Sequence, residues 1–479
     1  MSPVDLTPAL TSPRALAATR ERIALVTEAA RRAGSYLAGA AHRPVAPGPE
    51  AVAALDVFRR PLQDGRIDPR EVLAELDAFG SPATVAQAQG RFFGFVNGGV
   101  DNAAAAAAVL AGQWDQNPSL PVGSPVASVL DEVAAGWVVD LLGLPRTATA
   151  TFTPGATLAN LTGILVARDA LLARAGWDVH ERGLFGAPPV RVIAGEEAHV
   201  SILKAARLAG LGVGRIETVP TDERGAARAD ALPTDIDALT LVILQAGNVN
   251  TGASDPFGAI IPRVHDAGGW VHVDGAFGLW AAASPELRHQ VAGVELADSW
   301  GTDAHKWLNV PYDSGVAIVR ERADLERATA MQAAYVASED ARPLMQLGLQ
   351  MSQRARGIET WAMLAANGRD GVADLIERTC GHARTFAGIL AGAGVELFAP
   401  VALNQVLVAF GREPGAPGDA AITDAVIGAA QREGTMWAGA STWKGRRAMR
   451  ISVSDQATTR DDVEVSAAAL LGAWERVRG

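Results

Sequence analysis

The chain holds a single cysteine, Cys380, among 479 residues. That excludes an intrachain disulfide framework and any multi-cysteine metal site, and it fits a reducing compartment, so a cytoplasmic location and no metal are expected. Long apolar runs are also missing. The run AAAAAAVLAGQW, from Ala103 to Trp114, is bounded by Asp101 and Asp115, and it is shorter than the roughly 20 residues that cross a bilayer. It reads as a buried helix, and no membrane partner is expected. The first residues, MSPVDLTPALTSPRALAATRERIAL, carry prolines and charges where an export signal needs an unbroken apolar stretch. Lys and Arg total 42 against 53 Asp and Glu, a formal charge of −11 with no basic block, so nucleic acid is not an expected partner. Only three tyrosines occur, Tyr36, Tyr312 and Tyr335, which leaves few sources for a phenolic proton.

What is present reads as a compact protein of enzyme size. Apolar residues make up 49% and charged residues 20%, with 50 glycines and 26 prolines to punctuate turns. Residues 1–90 read as a helical segment broken by HRPVAPGPE, of the kind that packs on a partner subunit because it buries little alone. Residues 91–353 read as an α/β domain. Short β-branched runs such as RVIAG, LTLVILQAG, WVHVDGAFG and SGVAIVR alternate with Ala- and Leu-rich helices, the pattern of a mostly parallel sheet with ligand sites beyond its carboxyl strand ends. Residues 354–479, with LNQVLVAFG and AMRISVSD between helical stretches, read as a small α+β domain.

Chemistry concentrates at four places in that pattern. The strand WVHVD ends at Asp274, and the next core strand delivers Lys306 32 positions later. A lone aspartate there is usually a turn residue, and a lysine so close to a buried strand needs water or a covalent partner. Together they suit pyridoxal 5′-phosphate, whose aldehyde takes a lysine amine and whose ring nitrogen needs a carboxylate. A phosphate cradle is available in TFTPGATLANL, where Thr153, Pro154, Gly155, Ala156 and Thr157 open a helix. By itself that segment is only a capped helix. His199, in GEEAHVSILKAARLAG, and His305, before the lysine, are each structural when taken alone; beside a flat cofactor they stack on its ring and bind its phosphate.

The ordered segments GRFFGFVNGG, SPVASVLDEVAAGWVVDLLGLP, TPGATLANL, EEAHVSILKAARLAG, GNVNTGASDP, HVDGAFG, DAHKW and QRARGIETW resemble the group II pyridoxal-phosphate-dependent decarboxylases, which include aromatic amino acid and glutamate decarboxylases. The resemblance implies a fold-type I transferase architecture and a homodimer with active sites at the subunit interface. It implies Lys306 as the lysine that forms the Schiff base, Asp274 as the ring-nitrogen partner, Ala276 against one face of the ring and His199 against the other. Gly155, Ala156, Thr157 and His305 are then the phosphate site, and Asn248 falls near a threonine the family often places by the cofactor. The implied reaction is decarboxylation of an L-amino acid; the aromatic residues of RFFGF, Trp114 and Trp300 give a slight preference for an aromatic or bulky apolar side chain.

One position departs from the family. Counting back from Arg354, Arg356 and Trp361 puts Leu344 where a mobile-loop tyrosine usually protonates the substrate carbon. Tyr335, which begins that loop, is the replacement candidate, and Tyr312 reads as a packing residue. The departure keeps aldehyde synthesis, carbon–carbon cleavage and transamination open beside decarboxylation, with a catalytically silent binding protein as a separate class. Arg91, Arg354 and Arg356 give no clear partner for a distal carboxylate, and RFFGF, Trp114 and Trp300 are aromatic surface for either a pocket or the core.

Overall fold

Short runs of β-branched and aromatic residues between glycine-rich turns become the strands of two sheets. The structure, a computed structural model, describes residues 12–331 and 343–479. Seven strands form the larger sheet: β1 (Thr149–Thr153), β2 (Arg191–Gly195), β3 (Ile216–Val219), β4 (Thr240–Gln245), β5 (Trp270–Asp274), β6 (Ser299–Asp303) and β7 (Gly315–Val319). Their order is β1-β7-β6-β5-β4-β2-β3. Strands β2 to β6 pair in parallel, while β7 runs antiparallel to both β1 and β6. The sheet is thus mostly parallel. Every residue of β5, β6 and β7 is buried, as expected when both faces are covered.

The helix Ala156–Arg174 lies on this sheet against β5, β6 and β7, and most of its length is buried. By length and composition it is the one helix among the described residues apolar enough to cross a membrane, but its apolar faces are spent on the core. Four antiparallel strands make the second sheet: β8 (Glu396–Leu397), β9 (Gln405–Ala409), β10 (Gly439–Trp443) and β11 (Arg446–Ser452), in the order β10-β11-β9-β8. It has its own core around Phe386, Phe410 and Trp474.

A long helix ties the two cores together. Gly357–Gly392 turns at Gly368, whose φ of 60° suits glycine; Met363 and Ile376 pack in the large core, and Phe386 and Leu390 in the small one. The chain also crosses between them near its start. Phe93 donates its N–H to the Trp437 carbonyl at 2.7 Å and accepts from the Ser452 N–H at 3.0 Å, so GRFFGF is laced to the small sheet and brings it to the carboxyl edge of the large one.

The run from Ala103 corrects an expectation. It is helical, Asn102–Trp114, capped by Asp101, but only Ala104 is buried; Val109, Leu110 and Trp114 are exposed. Alanine enrichment gave helix propensity without an enclosing partner in the single chain. The helix Pro13–Ala40, capped by Ser12, is likewise exposed along most of its length.

Candidate active site

Strands β5 and β6 are parallel neighbours with Asp274 opposite Gly301, so the carboxyl end of one carries the carboxylate and the end of the other leads straight to the lysine. Asp274 is wholly buried and accepts the Ala276 N–H at 3.2 Å. Burial pushes its pKa up, and His199, Lys306, Asn160 and the Ala276 amide pull against that rise. Lys306 lies in the turn after β6. Its amine pairs with Asp303 at 3.0 Å, and the side chain remains one-fifth exposed.

Asp303 links this lysine to the helix start. Its other carboxylate oxygen accepts the Ala156 N–H at 2.5 Å, where the helix Ala156–Arg174 has no side-chain cap of its own. An anion therefore already sits at that helix N-terminus, as the free amides and the dipole favour. Gly155 precedes it in extended backbone, Ala156 is buried and Thr157 half-buried. His305 is buried beside them, with Nε2 3.6 Å from Asp303. Its Nδ1 accepts the Ser314 N–H at 3.1 Å, which puts the ring proton on Nε2, and burial lowers its pKa. The ring stacks on Tyr312 at 4.3 Å.

His199 caps the helix Val200–Leu208 by accepting the Ser201 N–H on Nδ1 at 3.2 Å. Burial keeps its pKa down, against the pull of Asp274. A cavity of about 270 Å³ gathers His199, Asp274, Ala276 and Lys306 with Phe95, Phe277, Val249 and Arg450. Arg450, on β11, reaches it from the small sheet. Burial pulls its pKa down to about 10, its guanidinium donates to the Val249 carbonyl at 3.3 Å, and no carboxylate among the described residues pairs with it.

Several expected residues lie elsewhere. Asn248 does not line the cavity: its Oδ1 accepts the Asn250 and Thr251 amides and folds its own loop, so Gly247 and Val249 face the space instead. Trp300 is fully buried, with its indole N–H on the Val294 carbonyl, and belongs to the core. Of RFFGF only Phe95 lines the cavity, and Trp114 is exposed on its helix. Arg91 pairs with Asp462, Arg354 with Glu359 and Arg356 with Asp313. Tyr312 donates its hydroxyl to Asn97 at 2.8 Å. Leu344 is buried in the core cluster on the helix Ala156–Arg174 side of the large sheet, and Tyr335 lies outside the described residues. Sequence reasoning missed Asp303, Arg450 and Phe277. Asp303 stands within DAHKW and was legible as a carboxylate next to the lysine; Arg450 had no local signal.

The residues present fit pyridoxal 5′-phosphate. An amine and a buried carboxyl face one cavity, and an anion-holding helix start adjoins the amine through Asp303. Known proteins agree. Tryptophan decarboxylase 1 of Oryza sativa subsp. japonica is 30% identical over 336 residues, covering 65% of this chain and 64% of that one. Aromatic-L-amino-acid decarboxylase of Bacillus atrophaeus is 27% identical over 282 residues, 56% of each chain. The chain thus matches less than two thirds of the length of these curated relatives. In structure, Oryza sativa TDC with PLP and tryptamine superposes with a TM-score of 0.87 at 21% identity, covering 100% of both chains, and has the same fold-type I architecture. The pyridoxal-dependent decarboxylase conserved domain matches residues 79–411, most of the sequence, and the chain belongs to that family.

Proposed function

We propose that the protein decarboxylates an L-amino acid with pyridoxal 5′-phosphate held at Lys306. The observation that carries this reading is the convergence of Lys306 and Asp274, from adjacent strands, on one cavity. When bound, the cofactor supplies an aldehyde for the lysine amine and a cationic ring that takes up the electron pair left behind as carbon dioxide departs. Asp274 would hold the ring nitrogen in its protonated form. His199 and Ala276, which line the same cavity, would hold the ring between them. Gly155, Ala156, Thr157 and His305 would hold the phosphate, with the Ala156 amide, now bonded to Asp303, as one of its donors.

Arg450 is the cation left for the substrate. With Lys306 taken by the cofactor, Arg450 would bind the α-carboxylate, and among the described residues no third cation lines the cavity to neutralise an acidic side chain. Phe95, Phe277 and Val249 offer apolar surface, which favours an aromatic or bulky apolar substrate. Replacing Arg450 with leucine is expected to raise KM roughly 10-fold to 100-fold with a smaller effect on kcat. Tyr335 is the proposed proton donor to the substrate carbon.

The protein is further proposed to be a cytoplasmic homodimer with residues 1–90 packed on the partner, and with residues 91–353 and 354–479 as its cofactor-binding and small domains. Exposed Ile23, Leu37, Val109, Leu110 and Trp114 support the pairing. The test of function incubates purified protein and cofactor with individual L-amino acids. Amine and carbon dioxide in equal amounts support decarboxylation; aldehyde with peroxide, or a keto acid, overturns it.

A further inference from the structure

Trp270, His272 and Asp274 alternate along β5 and therefore share one face of the sheet. Ser299 lies beside His272 on β6, and the helix Ala156–Arg174 covers that face. The polar groups between them are sealed from water: His272, Ser299 and Asn160 have no exposed surface, and Trp270 has 2%. Two glycines make the room. A side-chain carbon at Gly163 would collide with the His272 ring, and one at Gly301 with the Asn160 carbonyl.

The hydrogen bonds run in series. The Trp270 indole N–H reaches Ser299 Oγ at 3.0 Å, Ser299 Oγ lies 2.9 Å from His272 Nδ1, and His272 Nε2 lies 3.1 Å from Asn160 Oδ1. Asn160 Nδ2 is buried without a completed hydrogen bond, yet it lies near enough to Asp274 to favour that group's charged form. An indole nitrogen can only donate, so Ser299 accepts from it and passes its own proton towards His272 Nδ1. Burial keeps the imidazole neutral, with its pKa down to about 3, so its one proton sits on Nε2 and is donated to Asn160 Oδ1. The Asn160 amino group then points its protons at Asp274. In the reverse direction Ser299 has no acceptor for its proton among the described residues, and the Asn160 carbonyl faces a carboxylate.

We infer that Trp270, Ser299, His272 and Asn160 form a one-way hydrogen-bond relay that orients a donor onto Asp274 and keeps this carboxylate charged for the cofactor ring nitrogen. These are positioning residues; none of them lines the cavity. The inference rests on the proposed role of Asp274, but the direction of the relay is set by the protein alone.

Two measurements test it. The first is ¹⁵N NMR of the cofactor-free protein at neutral pH, with His272→Gln used to assign the ring signals. A neutral His272 carrying its proton on Nε2 is expected, and Trp270→Phe should disturb that tautomer. A proton on Nδ1, or a charged ring, would overturn the relay. The second is cofactor affinity by absorbance titration, with folding checked by circular dichroism. Asn160→Leu is expected to weaken binding roughly 10-fold to 100-fold, and Asn160→Asp more, because it sets a second carboxylate against Asp274. Wild-type affinity in both variants would overturn the relay's role. If the unaltered protein failed to bind the cofactor, the functional reading would fall, while the NMR result would still decide the relay's direction.

Discussion

His272 illustrates how a buried side chain writes itself into the stability of the protein. Its pKa in the folded chain is about 3 against 6.5 for an ordinary histidine, because burial disfavours the cation. As pH falls below 6.5 the unfolded chain takes up a proton that the folded chain refuses until about pH 3, so folding stability drops by about 1.4 kcal/mol per pH unit. Asp255 acts in the opposite sense. Its folded pKa is raised from 3.8 to about 6 by burial, so it favours the folded chain as pH falls from 6 towards 3.8. His272→Gln removes only the first contribution. Between pH 6.5 and 5 the variant is therefore expected to gain about 2 kcal/mol relative to the unaltered protein in denaturant unfolding; parallel profiles would contradict the assignment. At this scale the sequence announced Lys306 and Asp274 because each sits in a short motif at a strand end. It did not announce Arg450 or Asn160, because each becomes chemical only when a second element folds over it.

Among the elements, β5 and β6 were the most legible. WVHVD and ADSWGT are bounded by small residues and rich in groups that suit a strand covered on both faces, and they became the parallel neighbours that order Asp274 and Lys306. The antiparallel β7 was legible as a strand but not in its direction. That follows from the turn after Lys306, where the Ala304 and His305 amides both donate to the Ser314 carbonyl and send the chain back. Aromatic residues were the least legible, since periodicity does not separate a pocket wall from a core. Trp300 on β6 shows the difference: its indole fills the interior and touches no part of the cavity. Trp300→Ala is expected to destabilise the fold by roughly 3–5 kcal/mol, and the more conservative Trp300→Phe to lower Tm while leaving the substrate KM unchanged. A changed KM with unchanged Tm would return Trp300 to the substrate pocket.

At the level of the whole molecule, the unpaired surface lies where the sequence placed its early helices. Arg22 on the helix Pro13–Ala40 donates to Gln113 on Asn102–Trp114 at 3.1 Å, so the two helices adjoin and present Ile23, Val109, Leu110 and Trp114 to the outside. An apolar surface of this kind costs solubility in a lone chain and suits a second copy. Light scattering after gel filtration is expected to give twice the 49.7 kDa chain mass, and Leu110→Lys to shift the population towards monomer. A single-chain mass for the unaltered protein would contradict the pairing. The site itself joins both halves of the chain, because Arg450 enters from the small sheet and Lys306 from the large one. The most direct test of the account is borohydride reduction of the cofactor-loaded protein, followed by peptide mass spectrometry. A phosphopyridoxyl group is expected on Lys306 and none in Lys306→Ala; a modification on another lysine, or none in the unaltered protein, would refute the assignment of Lys306.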